Sequence, residues 1–325
     1  MTRSDLRHEE TPMTTTSTAP PARAVPRRQR RHGSIRARER RLGIMFALPA
    51  TLLFLAVLAY PIFENIRTTF FSVDLLTGRT EYVGLANLRE LAGDETLRST
   101  VGRTLLWTVA CLAGQLGLGL LAALLIDQPW KGMRWIRQLL LLPYVVPVIA
   151  SALIWTWMLD GSYGILGSGL QSLGVVPDGT SPLGMESASL WTVIVINVWR
   201  GFPFAMLVFW ASLQGIDQQQ YEAAKVDGAG PLREFWSITL PNLRGAVIAL
   251  VALRGIWTLM YFELIWLTTR GGPVNSSDII PTYIYKIVMG EFRLGYAAAV
   301  ATVTGLTLFA LAAVVVVVRK LRRAA

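Results

Sequence analysis

The chain is 325 residues long, 53% hydrophobic and only 16% charged, whereas soluble domains carry about a quarter charged residues; the balance excludes an ordinary soluble globule and points to the bilayer. The net charge of +10 is concentrated in an N-terminal tail that abuts an apolar run, where a topology signal and contact with anionic membrane lipid account for it; no nucleic-acid partner is expected. One cysteine, Cys111, lies in an apolar run and the two histidines, His8 and His32, in the tail, which excludes an intrachain disulfide and leaves the membrane part without an imidazole base or a thiolate metal site.

Residues 1–43 form the basic tail, and its TPMTTTSTAPPARAVP stretch has the composition of disordered chain. It lacks the short apolar segment and small-residue cleavage site of a removable signal. Crossing a hydrocarbon core at 1.5 Å per residue takes about 20 apolar residues. Six such runs follow: Ile44 to Phe63, Val101 to Ile126, Leu139 to Leu159, Ala188 to Ala211, Ala246 to Thr268 and Tyr296 to Val318. The predicted membrane domain is 44–320, with 321–325 a short cytoplasmic end. The N-terminal tail, segments 128–138 and 212–245, and the C-terminal tail hold 21 Lys and Arg, the alternate segments seven. Cytoplasmic segments retain basic residues, so the pattern predicts an all-α integral membrane protein with six transmembrane helices and both termini cytoplasmic.

No G-x-x-x-x-G-K-[ST] occurs, so the chain does not hydrolyse a nucleoside triphosphate in the P-loop manner and its energy must come from elsewhere. A G-x-G-x-x-A match at Gly117 and Gly119 lies inside an apolar run with no strand before it and reads as helix packing on small residues. No G-x-S-x-G or H-E-x-x-H is present, which ranks a membrane-embedded enzyme last. An ion-coupled secondary transporter needs paired acids at mid-membrane and usually internal repeats; only Glu263 approaches that requirement.

Between the fourth and fifth runs lies the polar segment 217–242. Asp217 with Gln220 three residues later reads as a capped helix start whose glutamine reaches back; the helix should run to about Val226. Gly228 and Gly230 break it and Pro231 opens a second helix. Leu232, Phe235, Trp236 and Thr239 should share its apolar face, and Pro241 should stop it. A surface helix-turn-helix exposing Glu222 and Asp227 beside aromatic anchors suits docking into a groove of a cytoplasmic partner.

The stretch EAAKVDGAGPLREFWSITLP resembles the EAA loop of inner-membrane permease subunits of binding-protein-dependent ABC importers. LLPYVVP from Leu141, WRGFPF from Trp199, LTTRGGP from Leu267 and GYAAA from Gly295 narrow the resemblance to the sugar-type permeases and follow that family's order over residues 44 to 320. It implies a type I ABC importer permease fold in a bacterial inner membrane. It implies that Glu222, Ala223, Ala224, Asp227, Gly228, Phe235, Leu240 and Pro241 couple to a dimer of ATPase subunits, which bind ATP and Mg; this chain would bind no cofactor and would be a transport subunit, not an enzyme. A second permease subunit, forming a heterodimer, and an extracytoplasmic solute-binding protein are the other implied partners. The sequence departs from the family at Asp217, where proline is common, and at Arg270, where glycine is common. Its end, VVRKLRRAA, lacks the Gly-rich tail of the other permease type.

An arginine in hydrocarbon costs at least ~2.5 kcal/mol, so Arg200 and Arg254 should face the interior. Arg254, Trp257, Thr258 and Tyr261 recur at i, i+3, i+4 and i+7, giving one face a cation, two aromatics and a hydroxyl. That mixture suits a carbohydrate, and the resemblance places solute contacts here and around Arg200, Gly201 and Phe204. Alternatively, either arginine pairs with Glu263 or caps carbonyls at a break caused by Pro203, and Asn197 glues helices. The two cations would also suit a phosphorylated polyol such as glycerol 3-phosphate, although arginine stands at these positions in neutral-sugar permeases too.

Overall fold

The structure, a computed structural model, describes residues 32–74 and 76–324; the tail segment 1–31, expected to be disordered, lies outside them. Helix α1 is His32–Thr68, so residues 32–43, expected to belong to the tail, are helical. The portion up to Tyr60 is one unit and Pro61 onward a second. Side chains from Leu42 to Tyr60 are exposed, as an apolar helix meant for lipid requires.

The second unit opens with the hairpin β1 (Phe71–Val73) and β2 (Thr80–Tyr82), antiparallel with Phe71 opposite Tyr82. Helix α2 (Ala86–Gly93) and helix α3 (Glu95–Ile126) meet at Asp94. Its Oδ1 accepts the Leu97 N–H at 3.0 Å, the N-cap bond, while its Oδ2 accepts the hydroxyls of Tyr283, at 2.5 Å, and Tyr296.

Two of the apolar runs that fold as single long helices, α3 and α7 (Ser189–Leu213), pack against each other to form the core. Trp107 and Cys111 meet Val193 and Ile196 in one cluster, and Ala122, Ala123 and Ile126 meet Ala205, Met206 and Phe209 in another. Small residues permit the approach: a Cβ on Gly119 would stand 2.7 Å from the Ala205 Cβ and 2.9 Å from the Met206 nitrogen. Pro203 leaves α7 continuous, so the break expected there does not form.

The third run is bent. Helix α4 (Met133–Val145) and helix α5 (Val148–Met158) meet at 96°. The cause lies in LLPYVVP: Pro147 has no N–H to continue the ladder and pushes Val146 into extended backbone (φ −64, ψ 128). Helix α6 (Ile165–Ser172) leads towards α7. After α7 come α8 (Gln218–Val226), α9 (Pro231–Glu234), a π turn over Phe235–Thr239, α10 (Leu240–Asn242) and α11 (Arg244–Leu259). The fifth run is therefore divided: α11 ends at Leu259 and α12 resumes at Glu263–Thr268.

Helices α13 (Ile280–Met289) and α14 (Leu294–Ala324) complete the chain. The LTTRGGP segment leads into a turn with left-handed backbone at Arg270, Gly271, Val274 and Asn275. Arg270 (φ +52) thus occupies a conformation that glycine takes without strain. A Cβ at Gly271 would sit 1.8 Å from Asp278 Oδ1. The buried Asp278 carboxylate pairs with Lys286 at 2.6 Å, and its carbonyl accepts from Arg103 Nε at 3.2 Å. Among the described residues four helices are long and apolar enough to cross a membrane singly, and the bent pairs α4–α5 and Pro231–Asn242 with α11 bring the number to six if each is one crossing.

Candidate functional site

The 217–242 segment is a helix-turn-helix. Asp217 caps α8 with Oδ1 accepting the Gln219 N–H at 3.0 Å. Gln220 does not reach back as expected; its Oε1 accepts from Asn242 Nδ2 at 3.1 Å, tying the two ends of the segment together. At the far end of α8, the Ala229 N–H bonds to the Ala224 carbonyl and the Gly228 N–H to the Lys225 carbonyl. This double closure requires a left-handed residue, supplied by Gly228 at φ +76. Pro231 opens the second helix, where its missing N–H costs nothing.

Pro241 does not stop that helix. The Leu240 N–H bonds to the Phe235 carbonyl, five residues back, and the chain runs on with a 57° bend into α11. The π turn directly ahead of the proline absorbs the lost N–H. The extra residue also splits the expected apolar face: Thr239 is buried, while Trp236 is 61% and Leu232 74% exposed. Glu222, Ala223, Asp227, Gly228 and Pro241 are exposed, and Ala224, Phe235 and Leu240 half-buried. Phe235 and Trp236 meet edge to face at 5.4 Å. The segment thus presents two acids and an indole at its surface, while Tyr221 and Ile238 pack on the α3–α7 core.

A second assembly lies where α7 and the end of α11 face each other. A cavity of about 320 Å³ is lined by Asn197, Arg200, Arg254, Trp257, Thr258 and Tyr261 together with Ile256 and Met260. Five of the seven predicted pathway residues are therefore brought together. The spacing argument needs one correction: Tyr261 lies past the end of α11, in the break before α12, so the face is a helix end plus a turn. The hydroxyl still reaches the cavity and accepts a hydrogen bond from Arg200 Nη1 at 2.8 Å.

Arg254 points across to α3, donating from Nε (3.0 Å) and Nη2 (2.8 Å) to Gln115 Oε1, and Gln115 Nε2 donates to the Asn197 carbonyl at 3.1 Å. Gly201 makes room for this arrangement, since a Cβ there would fall 2.4 Å from both Arg254 Nη2 and Gln115 Nε2. Phe204 stands beside the cavity: the Arg254 guanidinium lies 5.8 Å from its ring centroid, Tyr144 stacks on it at 5.9 Å, and Trp257 tilts against it at 6.5 Å. Thr258 is buried and its carbonyl accepts the Trp107 indole N–H at 2.9 Å, whereas Trp257 is 52% exposed. Neither arginine pairs with Glu263 among the described residues; each is held by a neutral side chain. Sequence reasoning missed Gln115, whose signal was a lone amide in the middle of an otherwise apolar run.

The arrangement can hold a polar solute between two guanidiniums and an exposed indole, and it offers no nucleophile or general base. The family of binding-protein-dependent transport system inner membrane components matches residues 115–323. The sulfoquinovosyl glycerol transport system permease protein SmoG of Agrobacterium fabrum is 32% identical over 82% of this chain and 86% of its own. The trehalose/maltose transport system permease protein MalF of Thermococcus litoralis is 32% identical over 82% and 90%. A solved bacterial alginate ABC transporter, in complex with an alginate pentasaccharide-bound periplasmic protein, shares the fold with a TM-score of 0.71 at 24% identity, over 86% of this chain and 96% of that one. The chain therefore belongs to the family of binding-protein-dependent transport system inner membrane components, and is a multi-pass ABC-transporter permease of the bacterial inner membrane.

Proposed function

We propose that this chain is the membrane-spanning permease subunit of a carbohydrate importer. It would receive its solute from an extracytoplasmic binding protein and pass it through a cavity completed with a second, different permease. The observation that carries the reading is the cavity itself, where the exposed indole of Trp257 can stack on the apolar face of a sugar while Arg200, Arg254 and Tyr261 address its hydroxyl edges. The names of its relatives, which transport sulfoquinovosyl glycerol and trehalose or maltose, support it.

In this reading the 217–242 segment docks on a cytoplasmic ATPase dimer, with Glu222 and Asp227 offered to basic residues and Phe235 and Trp236 forming the apolar contact. ATP and Mg belong to those partners, so the chain does no chemistry. Six crossings result if α4–α5 and the stretch from Pro231 through α11 each traverse once, and the distribution of basic residues supports cytoplasmic termini. A binding protein, a second permease and an ATPase should be encoded near this gene. The test is reconstitution of all four components in vesicles: uptake of a carbohydrate that needs both the binding protein and ATP supports the function, and a complete set that moves no carbohydrate refutes it.

A further inference from the structure

The part of the cavity that this chain lines presents two cations and no anion. None of its lining residues is acidic, and among the described residues neither Arg200 nor Arg254 forms an ion pair. Their hydrogen bonds go to the neutral Tyr261 hydroxyl and the Gln115 amide oxygen. Each guanidinium carries five N–H donors; these contacts engage one on Arg200 and two on Arg254, and the Arg200 Nε is buried with no partner. Holding two partly buried like charges in one cavity without a counterion is unfavourable, and an unpaired buried donor adds to the cost.

We infer that this cavity is a binding site for an anionic group, so that the transported carbohydrate is an acidic one, bearing a carboxylate, sulfonate, sulfate or phosphate. The site is preorganised for it. Gln115 grips Arg254 through two donors on one oxygen, and the bare backbone at Gly201 gives the pair the space it occupies. Tyr261 fixes Arg200 from the opposite end. The remaining donors can form charge-assisted bonds to an oxyanion, the geometry guanidinium serves better than ammonium. The Trp257 indole is left for the sugar ring, and a volume of about 320 Å³ lies at the small end of ligand pockets, which suits one charged sugar unit. The residue types alone leave the charge of the substrate open; the absence of an acid from this chain's share of the lining and the orphaned Nε favour an anion.

The inference rests on the carbohydrate reading above, and the test separates the two. The assembled transporter without its binding protein is titrated with D-glucuronate, D-glucose and inorganic sulfate at constant ionic strength, following thermal stabilisation. D-glucuronate should bind roughly tenfold or more tightly than D-glucose, as expected for gaining a charge-assisted bond, and sulfate should compete with it. Arg200→Gln and Arg254→Gln should each bring the ratio close to one, while Arg200→Lys keeps a preference for the acid, which guards against misfolding as the cause. Equal binding of glucose and glucuronate would overturn the anion site and leave the carbohydrate reading standing. Binding of sulfate without either sugar would support the anion site and remove the carbohydrate; silence from all three ligands would remove both.

Discussion

The hydroxyls of Tyr221 and Thr239 lie 2.9 Å apart and lock the two helices of the 217–242 segment across the turn at Gly228. Tyr221→Phe with Thr239→Val removes that lock for about 1 kcal/mol. If the segment transmits force to an ATPase, this double variant should insert and assemble normally while substrate stimulation of ATP hydrolysis falls about fivefold. Undiminished stimulation in the reconstituted complex would show that the lock carries no force.

Glu222 is exposed and Gly228 has φ +76. Glu222→Lys reverses a contact charge and should weaken ATPase association, read by co-purification, without changing the amount of inserted protein. Gly228→Val places a β-branched residue in left-handed backbone at a cost of ~1 kcal/mol or more, and should uncouple hydrolysis from substrate. Parent-like assembly and coupling in both variants would rule the segment out as the coupler.

Trp257 is half exposed beside the cavity, and Tyr261 is held by Arg200. Trp257→Ala should abolish uptake while the complex stays intact in detergent, and Trp257→Phe should restore it. Tyr261→Phe, which loses only the hydroxyl, should fall between. Were these residues helix glue, truncation would cost roughly 3 to 5 kcal/mol and the complex would dissociate; dissociation together with lost uptake is the outcome that contradicts a cavity role.

Asp94 joins α3, α13 and α14 at one end of the bundle. Partial burial works against its charge, but hydrogen bonds from Tyr283, Tyr296 and the Leu97 backbone outweigh it and hold the carboxyl below the ordinary range. Its stabilisation is therefore complete above the unfolded value near ~3.9 and is lost as pH falls through the lower folded value. Asp94→Ala should lower stability by about 2 to 3 kcal/mol through the lost cap and two unpaired hydroxyls. Asp94→Asn keeps the cap and should remove this acid-side loss from a melting series between neutral pH and pH ~3; an unchanged acid limb would show that Asp94 does not set it.

The split of 21 basic residues against seven predicts that a reporter active only outside the cytoplasm stays silent when fused after Ala325. Activity there would reverse the orientation.

Much of this was legible in residue patterns, and the failures share a cause. The runs that became α3 and α7 are apolar apart from a few polar positions such as Gln115 and Arg200, so their length made them legible. Asp217, Gly228 and Pro231 announced their turn because cap, left-handed residue and N1 proline each have a local requirement. What escaped was longer in range. Pro147 bends the third run by 96° whereas Pro203 leaves α7 continuous, and the presence of a proline does not by itself tell the two outcomes apart. Gln115 and Asp94 work through partners more than a hundred residues away, Arg254 in one case and Tyr283 and Tyr296 in the other. No spacing rule reaches that far.

The π turn at Phe235–Thr239 lets the segment absorb a change of one residue without changing direction. Deleting one residue there would restore ordinary winding and leave composition and hydropathy almost unchanged. An α-helix turns about 100° per residue, so a residue lost from ordinary α-helix would swing everything upstream by that angle, whereas the π turn, closed over five residues in place of four, can lose one and leave its two flanks, Leu232 and α11 included, close to their present orientation. A one-residue gap at this place between two homologues would leave their loops pointing the same way, while the same gap within α8 or α11 would not.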